Sequence, residues 1–187
     1  MRDFQADVIA AESQEKFWKR FYEKAYPNLI SSKVVKFEDN QAAQRNGIDR
    51  RLYLPNPLAG AAVVVTVEEK FRPSGGRMDF SNPSDILLEY ENVYADGSRT
   101  IGWMNKLLGC DMLAYAWEDF GGGYIMPWGN LRLFVDDEGW RLGQYRTITA
   151  WTKGNDHRGN YETHSAAIPI SEFFDNVSGF RLIKCES

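Results

Sequence analysis

The segment Ala61 to Phe71 constrains the fold more than any other part of the chain. It reads Ala-Ala-Val-Val-Val-Thr-Val-Glu-Glu-Lys-Phe, starts after Gly60 and stops short of Pro73. β-Branched side chains are stiff at χ1 and pack well on a pleated surface, so this segment is a strand. Its apolar part is nearly continuous rather than alternating, which predicts a central strand covered on both faces. Such a strand requires neighbours on both edges and layers above and below. The rest of the chain must therefore supply a sheet and its flanking helices.

The spacing of apolar residues sketches those elements. Phe4, Val8, Ala11, Trp18 and Tyr22 recur at gaps of three, four or seven, which predicts an amphipathic helix from Phe4 to Tyr26, ended by Pro27. Glu15 sits where this stripe calls for an apolar residue, and Lys16, Lys19, Arg20 and Lys24 flank it. Ser32 to Phe37 reads as a short strand, and the polar stretch from Glu38 to Arg51 as a helical turn broken at Gly47. Asp85 to Tyr94 is a second clear strand, followed by a turn at Asp96-Gly97-Ser98. Trp103, Leu107, Cys110 or Asp111, Ala114 and Trp117 follow helical spacing, which predicts a long helix from Trp103 to Phe120, stopped by Gly121-Gly122-Gly123. Strands are expected over Tyr124 to Trp128, Leu131 to Val135 and part of Trp140 to Ala150. A polar loop is expected over Trp151 to His164, a short helix capped by Ser171, and a closing strand over Phe180 to Cys185.

Composition narrows the class. The chain has 187 residues, 43 % hydrophobic and 14 % aromatic, enough for one sizeable core and too apolar for a disordered or collagen-like protein. No run approaches the roughly 18 apolar residues of a membrane span, so no membrane partner is expected. The charged start, Met1-Arg2-Asp3, lacks the apolar core of a secretory signal. Two cysteines, Cys110 and Cys185, do not make a disulfide framework. A single domain over residues 1–187 in the cytoplasm is the expectation. The net charge of −4 excludes binding to nucleic acid by bulk charge. It is unevenly spread, with a net of +2 over residues 1–60 and −4 over 111–187. A nucleic-acid face would draw on the first third, helped by Lys70, Arg72 and Arg77.

One constellation carries chemistry. Glu68 and Lys70 are two apart on a strand, so their side chains leave the same face, whereas Glu69 points the other way. With Asp49 supplied by a neighbouring element, Glu68 offers hard oxygen ligands of the kind Mg²⁺ or Mn²⁺ takes, and the Lys70 ammonium can orient a water or offset developing charge. A polar strand end would place the same residue types there, and Glu69 then calls for a salt bridge. Other candidates are thinner. His157 and His164 with Asp156 and Asn160 lack the ligand spacing of a zinc site, and no nucleophile motif is present.

Gly47-Ile48-Asp49 followed by Glu68-Glu69-Lys70 resembles the signature of the PD-(D/E)xK nuclease superfamily, with Ile48 where that pattern has proline. The expected order of elements, the segments Ser84 to Glu89 and Gly102 to Lys106, and the aromatic stretch Asp111 to Trp117 are also similar to phage- and mobile-element-type members. The resemblance covers about residues 3–135. It implies an α/β, restriction-endonuclease-like fold with a central mixed β-sheet flanked by helices, and Mg²⁺- or Mn²⁺-dependent hydrolysis of DNA. Asp49 and Glu68, with the backbone carbonyl of Glu69, would be metal ligands and Lys70 catalytic. Glu15, or Glu12 one turn earlier, would be the acid contributed by the first helix, and Gln44 would approach the site. A homodimer, common among such nucleases, is compatible with it. A non-catalytic nucleic-acid-binding or assembly protein on the same fold is the alternative.

Overall fold

The computed structural model describes residues 4–36, 40–72, 83–106, 108–138, 144–152 and 159–185. In chain order the elements are α1 (Phe4–Ala25), β1 (Ser31–Val34), α2 (Gln41–Arg45), β2 (Arg50–Pro55), β3 (Ala62–Arg72), β4 (Asp85–Tyr94), β5 (Arg99–Ile101), a 3₁₀ turn (Trp103–Asn105), β6 (Met112–Trp117), β7 (Gly122–Pro127), α3 (Trp128–Glu138), β8 (Arg146–Thr152), β9 (Tyr161–Pro169), α4 (Ile170–Asn176) and β10 (Arg181–Lys184). They form two compact units. One comprises Met1–Asn82, Gly109–Trp128 and Gly179–Ser187, the other Pro83–Leu108 and Gly129–Ser178. Because the units are interleaved along the chain, no single linker separates them in the sequence.

The first unit is a helix on a mixed sheet, and the fold class is α/β. Six strands run in the order β1-β2-β3-β6-β7-β10. β3 pairs antiparallel with β2 and parallel with β6, so it is internal, as its apolar run predicts. Cover on both faces holds only for part of it: Val63 and Val64 are exposed, whereas Val67 and Glu68 are buried. Strand alternation assigns the two faces. Leu52, Val67, Ala114, Ala116, Ile125 and Ile183 pack with Phe17, Trp18, Phe21, Tyr22 and Ala25 of α1 into one core. Each large side chain buried there contributes about 1.5–3 kcal/mol.

The stretch from Trp103 to Phe120 is not a helix. After the 3₁₀ turn it becomes β6, whose residues Leu113 to Trp117 are all at most 1 % exposed. A strand buried on both faces has no alternation, and its apolar positions then match helical spacing by accident. The expected order of elements therefore loses its long helix. Gly121 to Gly123 are a turn and the start of β7 rather than a helix stop. A Cβ on Gly122 would run into the Ile183 carbonyl, and one on Gly123 into the Tyr115 carbonyl, so glycine lets β10 and β6 close on β7.

The second unit is a four-stranded antiparallel sheet, β5-β4-β9-β8, with α4 and most of α3. Ile86, Leu88, Ala166, Ile168 and Phe173 are fully buried in it. Leu131 to Val135 lies in α3, not in a strand: Leu131, Phe134 and Val135 are buried and Leu133 is exposed, a helical pattern. The expected loop over Trp151 to His164 gives way to β9 from Tyr161 onward, and residues 153–158 lie outside the described residues. Ser171 sits inside α4, whose N-cap is Pro169 with no side-chain cap. Among the described residues no helix is long and apolar enough to cross a membrane.

Candidate functional site

The site is built where β2 begins beside β3. The Asp49 N–H donates to the Val67 carbonyl at 2.9 Å. The Asp49 carboxylate accepts the Glu69 N–H at 2.8 Å. Both bonds clamp Asp49 to β3, and its carboxylate lies within hydrogen-bonding reach of Glu68. Glu68 is 6 % exposed and is ion-paired with Lys70 two residues along the same face. Burial raises the Glu68 carboxyl above its ordinary range. The Lys70 ammonium opposes that rise and the Asp49 charge adds to it. Asp49, Glu68 and Lys70 are thus brought together, as the sequence led one to expect.

Glu69 faces α1 instead. Its Oε1 accepts from Arg50 Nε at 2.5 Å and from the Tyr22 hydroxyl at 2.9 Å. Burial still pushes its carboxyl up to about 7, against the lowering by Arg50 and Tyr22. The salt bridge that its orientation called for is the one with Arg50. Arg50 itself is 1 % exposed. Its other two nitrogens donate to Glu15 at 3.0 and 2.6 Å, and its guanidinium lies over the Tyr22 ring at 5.5 Å. Glu15 interrupts the apolar stripe of α1 in order to hold Arg50. It is not brought to the Asp49–Glu68 pair, and Glu12 is exposed.

Around the carboxylates, the site face carries further polar groups. Arg72 Nε donates to the Tyr115 hydroxyl at 2.8 Å, and its guanidinium lies 5.4 Å from that ring. Asp111 accepts from the Thr66 N–H and hydroxyl, both at 2.7 Å, and ties the start of β6 to β3. Cys110 is buried just before β6, not in a helix. Burial, and then the charge of Glu68, push its thiol up to about 12, so it stays protonated. Sequence reasoning missed Arg50 and Cys110 as neighbours of the site. For Arg50 a signal exists: it alternates in phase with Leu52 and so belongs to the α1 face.

Two adjacent carboxylates, one buried and one half-buried, are the donor chemistry that a hard divalent cation takes. Burial holds the Glu68 carboxyl up and the Asp49 charge adds to it, and a bound cation would relieve both. Asp49 and Glu68 fit that role. Among the described residues, no three His, Cys, Asp or Glu side chains converge as a metal-binding group.

Other polar residues of the chain lie apart from these carboxylates in the sequence and have their own surroundings. In the second unit His164 pairs with Glu91 at 2.9 Å and with Glu162 at 3.4 Å. Asp85 pairs with Arg146, and Glu89 accepts from Asn92. Lys106 is exposed. Arg77 and His157 lie outside the described residues, as does the Gln44 side chain. No family model matches the chain, and no curated protein or solved structure matches it significantly.

Proposed function

We propose that the Asp49–Glu68–Lys70 face hydrolyses phosphodiester bonds in DNA with the help of Mg²⁺ or Mn²⁺. One observation carries this reading: two carboxylates in reach of each other, with an ammonium on the same strand face. The reading extends the resemblance of Asp49 and Glu68-Glu69-Lys70 to the PD-(D/E)xK signature, and the restriction-endonuclease-like fold is part of the same proposal. Asp49 and Glu68 would hold the cation, which lowers the pKa of a bound water and neutralises charge on the phosphate. Asp49 is held in register by the Glu69 N–H, so its carboxylate needs little reorganisation to bind. Lys70 is ion-paired with Glu68 and would offer its ammonium to a non-bridging phosphate oxygen or to the attacking water. The Tyr115–Arg72 pair lies farther along the same face and can hold a flanking phosphate.

The test is a cleavage assay with Mg²⁺ and with Mn²⁺ on plasmid, linear, single-stranded and branched DNA. Lys70→Ala is expected to lose at least about a hundredfold in rate, and Glu69→Gln to retain cutting. Cutting that survives Lys70→Ala and Glu68→Ala sinks the assignment. The ion pair that Lys70 already makes with Glu68 favours a second reading, a nucleic-acid-binding or assembly protein without catalysis. Folded protein that binds DNA and cuts none of these substrates would support it.

A further inference from the structure

The edge of the first unit's sheet carries a groove that the carboxylate chemistry does not use. It is lined by Lys33, Val34, Val35 and Lys36 from β1 and the residues after it, by Asn40, and by Arg51 and Tyr53 of β2. Among the described residues that line it, the charges are all of one sign: three cations and no carboxylate. Among the described residues, no ion pair joins Lys33, Lys36 or Arg51 to an acid. The cations nearer the carboxylates are engaged instead. Arg50 holds Glu15 and Glu69, Lys70 holds Glu68, and Arg72 holds Tyr115.

Register ties the groove to the site. Lys33 lies opposite Arg51 and Ser31 opposite Tyr53. Arg50 and Leu52 point at α1, so Arg51 and Tyr53 lie on the opposite face, the one that carries Glu68 and Lys70. Two residues along a strand are about 7 Å. Arg51 therefore follows Asp49 by roughly two of the 3.4 Å rises of a nucleic-acid strand. Lys33 Nζ stands 5.5 Å over the Tyr53 ring, which fixes a cation and an aromatic face side by side.

We propose that this groove binds the phosphodiester backbone of DNA and leads it to the Asp49–Glu68 pair. The proposal rests on the reading of that pair as a DNA-hydrolysing site and names how the substrate is held. Lys33, Lys36 and Arg51 would each neutralise a phosphate, and Tyr53 would offer a stacking face for a base at a frayed or single-stranded position.

The probe is a fluorescein-labelled 20-base-pair duplex, followed by anisotropy in EDTA between 50 and 200 mM NaCl, so that binding is read without cutting. The proteins are the full chain, the Lys33→Ala/Lys36→Ala double variant and an exposed control, Lys106→Ala. Both groove lysines are exposed, so the double variant should fold, which circular dichroism checks. The double variant is expected to bind about tenfold more weakly at 100 mM salt. Its slope of log K against log salt should be shallower by about 1.8, for two lost phosphate contacts. Arg51→Gln should act in the same direction, and Lys106→Ala should match the parent. Equal affinity and slope for the parent and the double variant would overturn the groove, as would absence of duplex binding by the parent. Inorganic phosphate bound as tightly as the duplex would also overturn it, by marking a single-anion pocket. Parallel cleavage assays separate the two readings. Groove-dependent binding without cutting removes the hydrolytic site and keeps the groove, whereas cutting that ignores the lysines removes the groove alone.

Discussion

Glu68 and Glu69 are neighbours on one strand, yet the two faces of β3 treat them in opposite ways. Toward α1, Glu69 is enclosed by complementary groups: Arg50, the Tyr22 hydroxyl and, through Arg50, Glu15. On the other face, Glu68 has a cation in Lys70 but also a second acid, Asp49, in hydrogen-bonding reach. The first arrangement satisfies a buried charge and locks helix to sheet. The second leaves like charges together, which structure alone does not reward and which a bound cation would. The comparison separates a structural carboxylate from a chemical one although the sequence writes them side by side.

The sharpest way to break that contrast is Arg50→Ala. It strands Glu69 in the core and frees Glu15, and stability measured by urea unfolding at pH 8 should fall by about 3–5 kcal/mol. A loss below about 1 kcal/mol would show that the α1 face does not depend on this hub. A smaller effect follows from pH. Glu69 titrates near 7 in the folded chain against its ordinary 4.5, so between these values the folded state keeps a proton that the unfolded chain has released. Stability should therefore fall by roughly 2 kcal/mol as pH rises from 4.5 to 7, and change little from this source outside that window. The raised Glu68 carboxyl acts in the same direction. Glu69→Gln should flatten most of the slope in a denaturation series; an unchanged slope would assign the titration elsewhere. Smallest of the three, Glu68→Gln should leave stability unchanged or raise it by about 0.5–1 kcal/mol, because it removes one of two repelling carboxylates. A clear destabilisation by Glu68→Gln would make Glu68 as structural as Glu69 and erase the comparison.

The elements legible in the sequence are those with an unambiguous period. The stripe of α1 and the β-branched run of β3 have one, and β4, with its turn at Asp96 to Ser98, is marked by composition and punctuation. Where burial is two-sided the period disappears, and Leu113 to Trp117 were open to a helical reading that only the pairing of β6 with β3 and β7 rules out. In α3, the buried Leu131, Phe134 and Val135 do carry a helical spacing, but the run is short enough to pass for a strand. Glu15 shows the same limit at the site. Its departure from the stripe is visible in one dimension, but its partner, Arg50, lies 35 residues away and is found only when β2 is laid under α1.

What the sequence determined by itself was therefore local: an amphipathic helix, a central strand, and the fact that Glu68 and Lys70 leave one face while Glu69 leaves the other. These follow from the 3.6- and 2-residue repeats of the backbone, which need no knowledge of distant residues. The tertiary structure decided which distant charge meets which. It set Arg50 on Glu69 and Glu15, Asp49 beside Glu68, and Lys33 opposite Arg51 at the sheet edge. The energy of an ion pair depends on separation and burial, and both are set only when strands and helix have packed.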